Sequence, residues 1–373
     1  MTRLSRLKRR WARLPAERPG GRSLRRLLLA VATGALLASC GTLNYYAQAG
    51  YGQYELWSAA RPVDAWLADA RTDQRLRMRL ERARAIRRYA VAALALPDNG
   101  SYKKYSSLRR PYVLWSVVAT PELSLKPLQW CFPIAGCVAY RGYYDRDDAK
   151  DYAADLRGQG YDVHVSGVPA YSTLGWFDDP LISTFINYPD GELARLIFHE
   201  LAHQVSYVPG DSAFNESFAT AVEEAGLQRW LDEHGDERLR AAYAQYATRK
   251  QQFLELLLGA RRKLLEAYAS DQGEAQRRAR KAEVFRELKQ DYAVLKQQWG
   301  GYAGYDRFFA EPLSNAHLAS VATYNDHVPA FRALLARERS FPRFYAAVRQ
   351  LAALGKDERD RMLARLARDG ASA

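Results

Sequence analysis

Cysteine is scarce in this chain, with three among 373 residues, at Cys40, Cys131 and Cys137. A thiolate zinc knuckle needs several such ligands at paired spacings, and these cysteines do not supply them. Any metal chemistry must therefore draw on histidine and carboxylate. Cys131 and Cys137 stand six apart in "WCFPIAGCVAY", where a disulfide and two buried thiols are both open. Long apolar runs are missing too. The best stretch, "LLLAVATGALLASC", holds about a dozen apolar residues, too few to span a bilayer comfortably. Internal repeats and low-complexity tracts are absent.

A broad basic field is also lacking, although 55 Lys and Arg against 42 Asp and Glu give a formal charge of +13. Residues 1–39 hold ten of those bases (Arg3, Arg6, Lys8, Arg9, Arg10, Arg13, Arg18, Arg22, Arg25 and Arg26) and one acid, Glu17. The remainder, 45 bases against 41 acids, has no footprint for a nucleic-acid backbone. A basic lead followed by a short apolar stretch ending in small residues is the layout of a secretory signal, here 1–39. Leu37-Ala38-Ser39-Cys40 resembles the bacterial lipobox. The resemblance implies a lipidated Cys40 as first residue of the mature chain, a tether over 40–60, and anchoring to the membrane without crossing it. Gly41 in place of aspartate points, by the same analogy, to the periplasmic side of the outer membrane.

Residues 61–373 read as a single domain of α+β class, mostly helical. Apolar positions recur at helical spacings over 61–110, and "LPDNGSYKKY" breaks them. Residues 111–188 turn to strand-like runs, "YVLWSVVAT" and "YDVHVSGVP", around the helical "DRDDAKDYAADLRGQG". That predicts a small mixed sheet ahead of the next helices, 189–232. Long amphipathic segments over 236–300, broken at "DQG", predict an antiparallel helical hairpin with solvated charged faces, and further helices fill 301–373.

The stretch "LIFHELAHQVSYVPGDSAFNESFATAVEEAG", 196–226, carries the chemistry. On a helix His199 and His203 lie one turn apart and can hold one Zn²⁺ through imidazole nitrogens. Glu200, between them, is placed to take a proton from water at the metal, the H-E-x-x-H arrangement. The apolar periodicity of "LARLIFHELAHQVSY" sets these polar residues against a core. A third ligand is needed, and Glu216, Glu223 and Glu224 are in range. Glu216 and Glu223, seven apart, share a face, and Glu224 points away.

"FNESFATAVEE" resembles the N-E-G-F-A-x-x-x-E segment of gluzincin metallopeptidases. The resemblance implies that Glu216 is the third ligand on a second, antiparallel helix, with Glu223 as the later acid. Ligation by Glu223 would instead match thermolysin-like spacing. "LNYYAQAGYGQ", "YRGYYD", "GYDVHVSGVPAYSTLGWFDDPLIST" and "SNAHLASVATYNDHVPAF" extend the likeness to a bacterial family of predicted aminopeptidases, lipid-anchored proteins with this zinc motif. It implies one zinc per chain, a peptide or protein substrate, and Glu200 as general base. It also implies an oxyanion donor downstream, with Tyr324 first, then His327, His317 and Tyr207. Clan members hold substrate as an added strand before the zinc helix. Here Ser172, Leu174, Gly175 and Trp176 would supply main-chain bonds and a wall, and Asp178 or Asp179 an anionic contact. The G-x-M-E-N strand with which large gluzincin aminopeptidases read a free amine has no counterpart, which leaves endopeptidase action open. Action on peptidoglycan peptides and a non-catalytic, chaperone-like role are the other readings. No defined protein partner emerges.

Overall fold

The computed structural model describes residues 43–132 and 136–371, apart from the side chains of residues 320, 322–325 and 371. The signal segment and Cys40 lie outside the described residues. The chain divides into residues 1–50, of which 43–50 are helical, and a larger unit over 51–373. Where a tether was expected, 51–58 form a helix, α1. Gly52 and Leu56, one turn apart, are buried, whereas Tyr51, Tyr54 and Trp57 stay exposed.

The larger unit is a mostly helical α+β fold, but its strands make three small sheets where one mixed sheet was expected. β1 (Ala60–Pro62), β2 (Lys104–Ser106) and β8 (Leu181–Ile182) form the first, antiparallel at β1–β2 and parallel at β2–β8. In the second, β3 (Leu114–Pro121) runs antiparallel to both β6 (Arg141–Tyr143) and β7 (Tyr161–Val168). β4 (Trp130–Phe132) and β5 (Gly136–Val138) form a hairpin closed by a Cys131–Cys137 disulfide, which resolves the alternative left open for the two thiols. Most of these strands are two or three residues long, too short to join across the intervening Pro- and Gly-containing loops. α4 (Arg146–Gly158) is capped by Asp145, whose carboxylate accepts from the amides of Asp147 and Asp148.

Helices build the core. α2 (Val63–Ala68) leads into α3 (Gln74–Leu94), which begins under an Asp73 cap and ends at Ala95 in the left-handed region. α5 (Asp190–Ala202) buries Leu193, Ala194, Ile197, Phe198, Leu201 and Ala202, one continuous face against α3 and α6 (Ser212–His234). Gly226 of α6 permits that packing, because a Cβ there would sit 2.6 Å from a Leu94 methyl. α10 (Val328–Glu338), α11 (Phe341–Ala352) and α12 (Lys356–Ala371) close the same core with Phe331, Phe344 and Val348. α7 (Glu237–Ala269) and α8 (Glu274–Gln298) pack together as the expected hairpin. They form a second core around Phe253, Leu264, Leu288 and Tyr292, joined by Leu318 of α9 (Asn315–Asn325).

One buried ion pair pins the turn between α5 and α6. Asp211 caps α6 at the Phe214 amide and receives both Nε and Nη2 of Arg359 from α12, each residue's side chain only 4 % exposed. Asp211→Ala leaves the guanidinium buried without its counter-charge. We expect a loss of about 3–5 kcal/mol in urea unfolding; a loss under 1 kcal/mol would show that the pair does not hold the turn.

Candidate metal centre

The outer face of α5 lines a cleft of about 530 Å³. Arg195, Leu196, His199, Glu200 and His203 face it, while the opposite side of the helix is locked in the core. α6 runs back antiparallel, so His203 meets Glu216 and His199 meets both Glu216 and Glu223. The roof comes from Leu114 and Ser116 of β3, the Val168–Ala170 segment, and Val138 and Tyr140 at the disulfide hairpin. The hairpin reaches the inter-helix turn by close backbone approach. Gly136, at φ +71°, lies where a Cβ would meet the Gly210 amide at 2.6 Å.

Three side chains converge. His199 Nε2 is 3.2 Å from His203 Nε2 and 3.3 Å from Glu216 Oε2, and His203 Nε2 is 3.7 Å from the same oxygen. Tetrahedral ligands at roughly 2.0–2.1 Å from one ion stand about 3.4 Å apart, so the three atoms fit the coordination sphere of a small dication. The ring orientation fits as well. His199 Nδ1 lies 2.8 Å from Glu223 Oε2, so it is the nitrogen that carries the proton in the neutral ring, and Nε2 is directed to the shared point. Glu223 is held in turn by Arg195 Nη1 at 2.9 Å and Lys250 Nζ at 3.6 Å. Glu223 thus lies at the far ring nitrogen, and Glu216 is the carboxylate that converges with the two imidazoles. Glu224 turns out to Arg332.

Burial and the neighbouring carboxylates set the proton affinities here. Burial alone would lower His199, yet its hydrogen bonds to the Glu216 and Glu223 carboxylates outweigh it and raise the imidazole to about 10. His203 is lowered to about 4, chiefly by burial, so it is a neutral donor at pH 7. Glu200 has its carboxyl raised to about 7 by burial, with Glu216, Asp179 and Glu223 pushing the same way against His199. A carboxyl near neutrality suits a proton shuttle. Behind it Tyr102 is fully packed and holds φ +62°, its amide bonded to the Asp179 carbonyl at 2.6 Å. A bulky residue in the left-handed region beside a candidate base is the kind of backbone strain that active sites accumulate.

The remaining expected residues divide. Ser172 and Leu174 line the cleft, but 172–177 form a closed turn rather than an edge strand. Leu174 and Gly175 both take positive φ, at +58° and +80°. The amides of Thr173, Leu174, Trp176 and Phe177 bond within the segment, to Asp179, Ser172 Oγ, the Thr173 carbonyl and Thr173 Oγ. Those four donors are spent inside the turn. Trp176 points to solvent, 66 % exposed, and Asp178 packs over Gly100. Among the oxyanion candidates, Tyr207 lines the cleft with its ring 6.4 Å from that of His203. His317, in the first turn of α9, does not line the cleft and packs against His164 with ring centroids 3.9 Å apart. His327 sits at the start of α10, its amide on Ser217 Oγ. The side chain of Tyr324 lies outside the described residues.

Sequence reasoning missed Arg195, Lys250 and the roof. Arg195 stands one turn before His199 on the same face and was findable by that spacing. Lys250 arrives from α7, 34 positions beyond Glu216, and no local pattern announces it. The role of Asn215 was equally hidden: its amide clasps both the N–H and the carbonyl of Val208 at 2.8 Å, folding the turn that brings Glu216 to the histidines.

The helix pair thus presents two imidazoles and a carboxylate that could hold a metal ion, with a second carboxylate, Glu200, in the same cleft. The chain belongs to the family described as Putative aminopeptidase, whose profile matches residues 44–363, and is thereby placed among peptidases. No curated protein and no solved structure matches it.

Glu223→Gln keeps the shape but removes the charge on His199 Nδ1. It should weaken divalent-metal affinity roughly 10- to 100-fold in chelator competition, and an unchanged affinity would deny Glu223 that role. Asp179, 5 % exposed, has its carboxyl raised from 3.8 to about 6 by burial, against opposing bonds from Thr173 and Ser172. Its ionisation costs folding nothing below pH 3.8 and the full amount above about 6. Asp179→Asn should therefore match wild type at pH 4 and exceed it at pH 8, by on the order of 1–3 kcal/mol in urea unfolding. An equal difference at both pH values would contradict the burial argument.

Proposed function

We propose that the protein is a zinc-dependent peptidase that hydrolyses peptide bonds with Glu200 as general base. The supporting observation is the convergence of His199 Nε2, His203 Nε2 and Glu216 Oε2 at 3.2–3.7 Å, with Glu200 beside them in the same cleft. Zinc, if held by His199, His203 and Glu216, would supply Lewis-acid polarisation of the scissile carbonyl and lower the pKa of a water to near neutrality. Glu200 accepts the proton of the attacking water at its carboxylate and delivers it to the leaving nitrogen. Glu223 and Arg195 hold His199 in register while this happens. Tyr207 stands in the cleft as a candidate hydroxyl donor to the developing oxyanion, the role for which Tyr324 is the other choice.

The substrate chain enters under the roof of β3 and the 168–170 segment, passing Ser172 and Leu174. A specific observation favours an endopeptidase over an exopeptidase. Among the described residues the carboxylates lining the cleft are Glu200, Glu216 and Glu223, and each has a role at the metal or its histidine, so none is spare for a free α-amine. The Leu37–Cys40 lipobox supports secretion, lipidation at Cys40 and work on the periplasmic side of the outer membrane.

Glu200→Gln separates catalysis from metal binding. Bound zinc should remain near one per chain while hydrolysis of a peptide library falls roughly 10²- to 10⁴-fold. Product mapping on wild type with blocked and free amino termini decides the mode: equal cleavage of both fits endopeptidase action. Undiminished hydrolysis by the Gln variant would overturn the mechanism.

A further inference from the structure

β3 separates two cavities. Leu114 and Ser116 face the metal cleft, and Trp115 between them projects to the other side of the strand, into a second cavity of about 420 Å³. Three guanidinium groups border it, each over an aromatic ring. Arg146 lies 5.0 Å from the centroid of Trp115, Arg307 5.4 Å from Tyr112, and Arg110 5.8 Å from Tyr144. Cation–π contact holds such a group in place without consuming its N–H donors.

Those donors are largely unspent. Arg110 gives Nη1 to Glu55 of α1, but its Nε and Nη2 are buried without a hydrogen-bond partner. Arg307 gives Nη1 to the Tyr112 hydroxyl. The one acid in the lining, Asp145, has its carboxylate committed to the N-terminus of α4. Three cations against two carboxylates, Asp145 in the lining and Glu55 paired with Arg110, leave the cavity near +1 in a body whose charge is otherwise nearly balanced.

We propose that this cavity is a phosphoryl-binding site, separate from the metal centre. Planar guanidinium forks match the oxygen geometry of phosphate. Three of them converging on one space suit a multiply charged tetrahedral anion better than a single carboxylate. The phosphoryl group comes either from a free phosphate or from the headgroup of an anionic lipid. The second source is compatible with α1, which closes the cavity through Glu55 and exposes Tyr51, Tyr54 and Trp57, residues suited to a membrane interface. Tyr144 at the cavity wall shares a 2.6 Å hydrogen bond with Tyr171, which lines the metal cleft, so the two spaces are in contact through one pair of hydroxyls.

The test titrates the full chain with inorganic phosphate and, separately, with phosphatidylglycerol vesicles measured against phosphatidylcholine vesicles. The double substitution Arg146→Ala and Arg307→Ala removes two exposed arginines, and a matching melting temperature verifies the fold. Arg337→Ala with Arg343→Ala, exposed and distant in sequence, controls for general charge. We expect saturable binding of phosphate, a preference for the anionic vesicles, or both, weakened at least tenfold by the first pair and unaltered by the second. Phosphate binding alone assigns the free anion, and vesicle preference alone assigns the headgroup. No saturable binding of either probe, or equal losses from the two double variants, would overturn the site.

Discussion

The hydrogen bond between His199 and Glu223 is the contact on which the centre depends. It crosses from α5 to α6 and sets one imidazole's tautomer. It also brings a buried carboxylate against a buried ring, a combination tolerable only because Arg195 and Lys250 offset the charge. Without it, His199 is free to rotate, and the three-atom convergence with His203 and Glu216 would loosen. Everything around it keeps the two helices in register: Gly226 lets them pack tightly, Asn215 folds the turn, and the Asp211–Arg359 pair ties that turn to α12.

Rigid helices carry the chemistry, and short strands and loops shape access to it. α5 is half core and half site, so its apolar positions anchor the polar ones with little freedom. The roof is assembled differently, from β3, a disulfide-closed hairpin and a self-bonded turn at 172–177. The hairpin touches the α5–α6 turn through a glycine pair, which makes the cleft's width a property of tertiary contacts. Glu200 sits where desolvation and three neighbouring carboxylates raise its proton affinity.

Much of this was legible in the sequence, for reasons that are local. The 3.6-residue apolar period of 193–202 gave α5, and H-E-x-x-H placed three site residues on one face of it. The Gly-terminated 145–160 stretch became α4, and the strands at 112–120 and 161–169 became β3 and β7 within two residues. What failed was long-range. The resemblance puts the substrate-pairing segment at 170–180, but Asp179 and Ser172 capture the Thr173 and Leu174 amides within it, a competition that pattern alone does not reveal. His317 looked like a site residue by motif context and is instead buried on His164. Arg307 and Arg110 border one cavity across 197 positions, a juxtaposition only the fold supplies.

The central claim is that two histidines and one glutamate hold a single zinc. X-ray absorption on the zinc-loaded full chain tests it most directly. The account predicts one zinc per chain, with a first shell of two imidazole nitrogens at about 2.0–2.1 Å and oxygens at about 2.0–2.2 Å. It further predicts loss of one imidazole from that shell in His203→Ala. A folded chain that retains no zinc, or a first shell unaltered by that substitution, would contradict it.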